Sequence, residues 1–144
     1  MRLTSSAFED EGFIPRRYTC AGEDVSPPLS IHDIPAEAVS LVLVMDDPDA
    51  PAGTWDHWLA YDVQPTAQIP EAVASLGTSG TNSSGRTGYS GPCPPSGTHR
   101  YYLHAYALDV RLGLGAGADK AMLRTAMSGH VLAEASLMGR FSRP

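Results

Sequence analysis

Glycine and proline are spread along the whole chain, and they limit how long any regular element can be. The 144 residues include 14 glycines and 12 prolines. Glycine enters turns readily, whereas proline removes a backbone donor and interrupts helices and central strands. This pattern favours short strands joined by many turns over long helices. Hydrophobic residues make up 42% and charged residues 18%, enough apolar material for a core in one domain over residues 1–144.

The charge balance excludes some partners. The net charge is −6, and the basic residues are scattered apart from the isolated pair Arg16-Arg17. An acidic surface without a basic stripe repels phosphate backbones, so we expect no nucleic-acid partner.

The N-terminus lacks the apolar run of a signal peptide, and Leu41–Met45 is far too short to span a bilayer. We therefore expect a cytoplasmic, soluble protein with no integral membrane segment.

Three segments predict the main strands. Leu41–Met45 is apolar on both faces, which is typical of a central strand covered on both sides. Trp55–Val63 and Thr98–Asp109 alternate between two faces, as half-buried strands do. One late helix is indicated, because Asp119 can cap it and Gly129 can end it. We predict a mainly β fold, an antiparallel sandwich with this one helix.

Strand alternation assigns side chains to faces. In Thr98–Asp109 it places His99 and Tyr101 on the core-facing side and His104 on the opposite side. In Trp55–Val63 it places His57 on the same face as Leu59. A single histidine on an apolar face is usually a satisfied core residue. Two of them beside a tyrosine at strand ends favour a binding site.

Three carboxylates follow the predicted central strand directly. Asp46, Asp47 and Asp49 stand where the apolar run ends. Aspartates also cap turns, and that alternative explains one of them more easily than three. The two nearby prolines, Pro48 and Pro51, imply a sharp reversal, for which we expect at least one cis X-Pro bond.

A long loop precedes the strand that carries His99 and Tyr101. Residues 77–97 are rich in Gly, Ser, Thr and Pro. Loops of this length inside a compact domain are often functional. The loop contains Cys93, and Cys20 is the other cysteine. Their spacing matches no metal or redox motif, so we expect reduced thiols in a cytoplasmic protein, with a Cys20–Cys93 disulfide left open.

These segments resemble the signature blocks of the phosphatidylethanolamine-binding protein family, also called Raf kinase inhibitor-like proteins, in its short prokaryotic branch. One block is Asp47-Pro48-Asp49-Ala50-Pro51 with Trp55 and His57. A second comprises Gly91-Pro92, Pro94-Pro95, Gly97 and His99-Arg100-Tyr101. A third is Tyr18-Thr19-Cys20-Ala21-Gly22 running into Ser26-Pro27-Pro28-Leu29.

The resemblance implies antiparallel Greek-key sheets and a small pocket for an anion such as phosphate, phosphoethanolamine or a carboxylate. It implies a binding protein with no catalytic residue, cofactor or metal, acting through a kinase or protease partner. Imidazoles, a phenol and the Gly91 amide would donate to the anion, and Asp47 would orient or charge a histidine or meet a ligand's ammonium group. The implied ligand-binding residues are Asp47, Trp55, His57, Gly91, Pro94, His99 and Tyr101.

Longer members of the family carry a C-terminal tail near the pocket, whereas this chain ends at Pro144. We therefore expect a more open pocket and a homodimer that covers exposed apolar surface. Asp56 is unusual for its position, and alternation points it away from the pocket.

An enzyme is the alternative. An aspartate nucleophile after an apolar strand would suit a phosphohydrolase, but that chemistry belongs to parallel α/β sheets with helical crossovers. A metal-dependent enzyme could use a site built from Asp47, His57 and His99.

Overall fold

A computed structural model describes residues 1–144 and contains two antiparallel sheets and one α-helix. The elements in chain order are β1 (Arg2–Thr4), a 3₁₀ turn (Arg16–Tyr18), β2 (Leu29–His32), β3 (Ser40–Asp47), β4 (Trp55–Val63), β5 (Gln68–Ile69), β6 (Thr78–Ser79), β7 (Thr98–Leu108), α1 (Lys120–Met127) and β8 (Val131–Ser142). The helix is too short to cross a membrane. The predicted mainly β class, with one late helix, is confirmed.

The larger sheet has the order β6-β4-β3-β7-β8, and the smaller sheet has the order β1-β2-β5. β7 returns beside β3 after a long connection, a non-sequential order typical of Greek-key sheets. β3 is the central strand and is buried along its whole length, as its apolar composition predicts. One face of β3 packs against the smaller sheet and the other against α1, which explains why both faces are apolar.

The predicted ends of α1 are confirmed. The side chain of Asp119 accepts a hydrogen bond from the backbone N–H of Met122 at 2.9 Å and so caps the first turn. Gly129 follows the helix with a φ of 82°, a conformation in which a side chain is strained. Leu123 and Met127 are the helix residues buried against the sheet.

The alternation predicted for β7 is correct, whereas the alternation predicted for β4 is wrong at His57. Between Met45 and Asp46 the pairing with β3 skips one residue of β4, so His57 lies in a β-bulge. Trp58 belongs to the core between the sheets, and Leu59 belongs to the core under the helix. The bulge therefore places His57 on the face of Trp58 rather than on the face of Leu59.

The predicted cis bond is also absent, because every peptide bond in the chain is trans. The reversal after β3 is built differently. The Asp47 carboxylate accepts from the backbone N–H of Asp49 at 2.8 Å, and Gly53 N–H donates to the Ala50 carbonyl at 3.2 Å. These local hydrogen bonds close the turn with both prolines in the trans form.

Candidate functional site

A cavity of about 480 Å³ opens where β3 ends and where β4 and β7 begin. The loop that precedes β7 forms its opposite wall. All seven residues named as ligand-binding from the sequence line this cavity: Asp47, Trp55, His57, Gly91, Pro94, His99 and Tyr101. The predicted convergence is confirmed, and a role in binding stays a prediction.

Asp47 fixes the orientation of His99. The Asp47 side chain is buried, and its Oδ2 accepts a hydrogen bond from His99 Nδ1 at 2.7 Å. Its Oδ1 is occupied by the backbone N–H of Asp49. Because a carboxylate accepts, the proton of neutral His99 lies on Nδ1. Nε2 of His99 therefore remains for a ligand, and this arrangement supports the orienting role expected for Asp47.

His57 is held in the same tautomer by a different partner. Its Nδ1 lies 2.7 Å from the carbonyl oxygen of Ser90, which can only accept. Burial lowers the pKa of His57, and the Ser90 hydrogen bond and the charge of Asp47 oppose this shift only in part. The ring of free His57 is therefore mostly neutral at pH 7, with the lone pair on Nε2.

Tyr101 carries a buried polar atom without a partner. Tyr101 is 1% exposed, and no group accepts a hydrogen bond from its hydroxyl, although the backbone of Cys93 lies close to its oxygen. Burial and the charge of Asp47 raise the pKa of this phenol, although the backbone of Cys93 opposes the shift. The hydroxyl thus stays protonated and able to donate. The ring of His57 meets Tyr101 edge-on with centroids 5.4 Å apart.

Gly91 contributes shape and not a donor. Its backbone N–H already donates to Asp24 Oδ1 at 2.8 Å, so the expected amide contact to an anion is wrong. A Cβ atom at this position would lie 2.3 Å from the Tyr18 carbonyl oxygen, so only glycine fits here. Asp24 carries no local sequence signal for this contact, because 67 residues separate it from Gly91.

Asn82 organises the loop beside the cavity and was missed at the level of sequence. It is 4% exposed, and its Nδ2 donates to the Ser90 hydroxyl at 3.2 Å and more weakly to the His57 carbonyl. Its Oδ1 accepts from the backbone N–H groups of Ser84 and Arg86. The loop therefore presents Arg86 as a cation at the cavity wall. An asparagine among many loop residues offers no pattern that would single it out.

Cys20 and Cys93 are joined by a disulfide bond, so the expectation of reduced thiols is wrong. Their Cα atoms lie 5.4 Å apart, within the range that a disulfide spans. Both residues line the cavity, together with Ala50, Pro51 and Pro95. Trp55 is 40% exposed and lies at the rim, where it and the prolines add apolar surface.

The reverse face of the same strands carries an ion cluster. Lys120 Nζ donates to Asp46 at 2.7 Å and to Asp56 at 2.8 Å, and Nε2 of His104 lies 3.5 Å from Asp46. Burial raises the pKa of Asp46, but the hydrogen bonds from His104 and Lys120 outweigh burial and lower it. Asp56 therefore points away from the cavity, as expected, and neutralises a lysine.

The cavity residues do not form a metal centre of three or more histidine, cysteine or carboxylate side chains. The geometry instead brings together two imidazoles of fixed orientation and one phenol without a hydrogen-bond partner.

Comparison with known proteins identifies the family of the chain. The profile of the phosphatidylethanolamine-binding protein family matches residues 4–142. The chain belongs to this family.

Relatives of similar length support the assignment. The chain is 49% identical to a UPF0098 protein of Methanothermobacter thermautotrophicus and 46% identical to one of Chlamydia muridarum, covering 99% of each chain in both pairs. A solved phosphatidylethanolamine-binding protein homologue from Chlamydia trachomatis matches with a TM-score of 0.97 and 44% identity over 99% of this chain and 97% of that chain.

The same fold also occurs in a protein with much lower sequence identity to this chain. Escherichia coli YbcL, described as a member of the mammalian phosphatidylethanolamine-binding protein family, has a TM-score of 0.91 at 22% identity. The match covers 99% of this chain and 98% of that chain. At this identity, the likeness shows a shared fold alone.

Proposed function

We propose that the cavity binds a small anion: phosphate, a phosphorylated head group such as phosphoethanolamine, or a carboxylate. The observation that carries the proposal is the buried Tyr101 hydroxyl, which has no partner. A buried polar group without a hydrogen bond is costly, and a ligand oxygen would remove that cost.

The two histidines supply the other contacts. When neutral, each ring has its Nδ1 proton committed to the protein, so Nε2 accepts and does not donate. Protonation turns each Nε2 into a charged donor, which an anion favours. A hydrogen phosphate can also donate its own proton to a neutral Nε2. Binding of an anion that carries no proton is therefore coupled to protonation of His57.

The proposed activity is binding without turnover. The pair Asp47–His99 also resembles the carboxylate–histidine arrangement of a general base, which favours hydrolysis as the second candidate. The Gly91 amide is committed to Asp24 and cannot stabilise the charge that develops during hydrolysis, which leaves the Tyr101 hydroxyl and Arg86 as the donors for that role. Incubation with p-nitrophenyl phosphate separates the two, because enzymatic release of nitrophenol above background would contradict the binding proposal.

The wider biology is part of the same proposal. By analogy with the family description, the anion is part of a lipid head group. The resemblance to Raf kinase inhibitor-like proteins extends the proposal to a kinase or protease partner that presents the anion. We propose a cytoplasmic protein that acts as a homodimer, without a nucleic-acid partner. The net charge of −6 supports the last point.

The experiment compares His99→Ala with His104→Ala by calorimetric titration with inorganic phosphate. Both histidines lie on β7, but His99 lines the cavity and His104 faces the ion cluster on the other side of the sheet. Loss of a charge-assisted hydrogen bond costs about 1.5–3 kcal/mol, so His99→Ala should weaken binding by roughly ten- to a hundredfold. His104→Ala should leave the phosphate affinity unchanged. Equal losses from both variants, or from neither, would refute the site.

A further inference from the structure

We propose that the Cys20–Cys93 disulfide is a thiol–disulfide exchange site for low-molecular-weight thiols, and that its reduction lowers the anion affinity of the cavity. The second half of this statement rests on the proposed function. The first half rests on the exposure of both cysteines and on the short distances from Arg143 to their sulfur atoms.

The disulfide is accessible and has a cation beside it. Both cysteines are exposed. Nη2 of Arg143 lies 3.2 Å from the sulfur of Cys93 and 3.9 Å from the sulfur of Cys20. Structural disulfides are usually shielded, whereas exposed ones are more often labile or regulatory. A guanidinium at a sulfur atom stabilises the thiolate that forms when the bond breaks.

The position of Arg143 determines the direction of exchange. A thiolate attacks the sulfur of Cys20, the S–S bond breaks, and the electron pair leaves on Cys93, where the guanidinium is closer. A second thiolate then attacks the external sulfur of the mixed disulfide and releases Cys20 as a thiolate. Two thiols are oxidised to one external disulfide, and the protein gains two thiol groups.

The disulfide joins two distant segments that together form one wall of the cavity. The cysteines are 73 residues apart in the chain and both line the cavity. The same segments are joined by three hydrogen bonds, from Cys20 N–H to the Pro92 carbonyl at 3.1 Å, from Gly91 N–H to Asp24, and from the Tyr89 hydroxyl to the Tyr18 carbonyl at 2.6 Å. Because these bonds remain after reduction, we expect the wall to loosen without unfolding of the domain.

A looser wall lowers affinity through lost preorganisation. The Ser90 carbonyl that orients His57 and the Cys93 backbone near Tyr101 both belong to the loop that the disulfide holds. Freeing this loop adds conformations that a ligand must remove on binding. We expect phosphate to bind about fivefold more weakly to the reduced protein.

The test measures phosphate affinity by calorimetry on the full chain, before and after treatment with dithiothreitol, and again after reoxidation. Dithiothreitol is uncharged and therefore does not compete for an anion site. The double variant Cys20→Ser with Cys93→Ser should have the lower affinity and should not respond to dithiothreitol. Equal affinity in the two redox states would overturn the control of the cavity by the disulfide.

Exchange is measured separately by mass spectrometry after thiol labelling. Native protein should be reduced by millimolar thiol, and Arg143→Gln should slow that reduction severalfold while leaving the phosphate affinity of the oxidised protein unchanged. Resistance of the native protein to reduction would overturn the exchange site. Absence of phosphate binding to the oxidised protein would overturn the proposed function and, with it, the control of affinity, but not the exchange site. Thiol labelling still reports exchange in that case, and amide hydrogen exchange at Gly91 still reports loosening of the wall.

Discussion

At the scale of single residues, the cavity combines two histidine rings that the protein holds in place with one tyrosine hydroxyl that has no hydrogen-bond partner. Asp47 and the Ser90 carbonyl each fix one imidazole, so the histidines enter binding with their tautomers already chosen. The Tyr101 hydroxyl has no such partner. This difference separates the residues that prepare the cavity from the residue whose hydrogen bond depends on a ligand.

Tyr101→Phe tests that dependence. The change removes only the hydroxyl, so we expect anion affinity to fall about tenfold, as for loss of one hydrogen bond to a charged group. Because the deleted hydroxyl is buried and unpaired, stability should stay within about 1 kcal/mol of the wild type or increase. Phosphate titration and urea unfolding measure the two effects. Tyr102→Phe is the matched control, because Tyr102 lies on the other face of β7 and its change should leave the phosphate affinity unaltered. A large loss of stability in Tyr101→Phe would contradict the absence of a hydrogen-bond partner for the Tyr101 hydroxyl.

The pH dependence follows from the histidines. Burial lowers the pKa of His57 in the free protein, whereas a bound anion stabilises the imidazolium and raises it. Affinity therefore declines as the pH rises through the window between the free and bound pKa values, and it reaches a plateau below the free value. Sulfate is the probe, because its charge does not change between about pH 5.5 and about pH 8. Sulfate affinity that is constant over this range would exclude histidine protonation as part of binding.

At the scale of elements, the alternation of β7 is readable from the sequence and that of β4 is not. β7 pairs with β3 from Tyr102 to Leu108 without irregularity, so polarity alone identifies its core face. β4 contains a bulge at His57 and a second register shift near Asp62, whose φ of 52° lies in the left-handed region. Each irregularity moves the side chains that follow it to the opposite face of the sheet from the one that simple alternation predicts. The disulfide, which the sequence leaves open, and the hydrogen bond that Gly91 N–H donates to Asp24 could not be derived from the sequence, because both join segments far apart in the chain.

Lys120 connects α1 to the two strands behind the cavity, and Lys120→Met should break that connection. Its ammonium lies at the start of the helix, where the helix dipole disfavours a cation, and two carboxylates compensate. Removing it leaves Asp56 without its ion-pair partner and Asp46 with only the His104 contact in a mostly buried site, so we expect a loss of about 2–3 kcal/mol in the free energy of unfolding. Lys120→Arg is the conservative control and should retain most of the stability.

The same ion cluster has a pH signature. The pKa of Asp46 is lowered from 3.8 in the folded state, so its contribution is fully present above the unfolded value and is lost as the pH falls through the folded value. The stability gap between the wild type and Lys120→Met should therefore shrink below about pH 4. Urea unfolding at neutral and acidic pH measures the gap. A gap that is constant with pH would show that packing of the lysine stem, and not the ion cluster, stabilises this junction.

At the scale of the whole molecule, the two faces of the larger sheet end in different sites. The face toward the smaller sheet ends in the cavity, and the face toward α1 ends in the ion cluster. Both meet at the end of β3, where Asp46 and Asp47 are neighbours in the chain. The helix can therefore stabilise the strand ends on which the cavity is built without contributing a residue to it.

β8 is the surface at which we expect a homodimer to form. It is an edge strand, and the N-terminal segment covers only one part of its free edge, through bonds between Glu11 N–H and the Met138 carbonyl and between Ile14 N–H and the Arg140 carbonyl. The rest of the edge carries Val131 and Leu132, which are 42% and 41% exposed. An unpaired edge strand with exposed apolar side chains at one end invites pairing with another strand.

Light scattering on the purified protein at micromolar concentration should therefore give a mass of twice 15.3 kDa. Leu132→Lys places a charge at the edge and should shift the protein to the monomer. His99 pairs with Phe141 at the other end of β8, so this variant lies away from the cavity and should keep its phosphate affinity. A monomeric wild type would refute the dimer. A dimeric Leu132→Lys would place the interface elsewhere on the molecule, while loss of phosphate binding on dissociation would mean that the cavity needs the second copy.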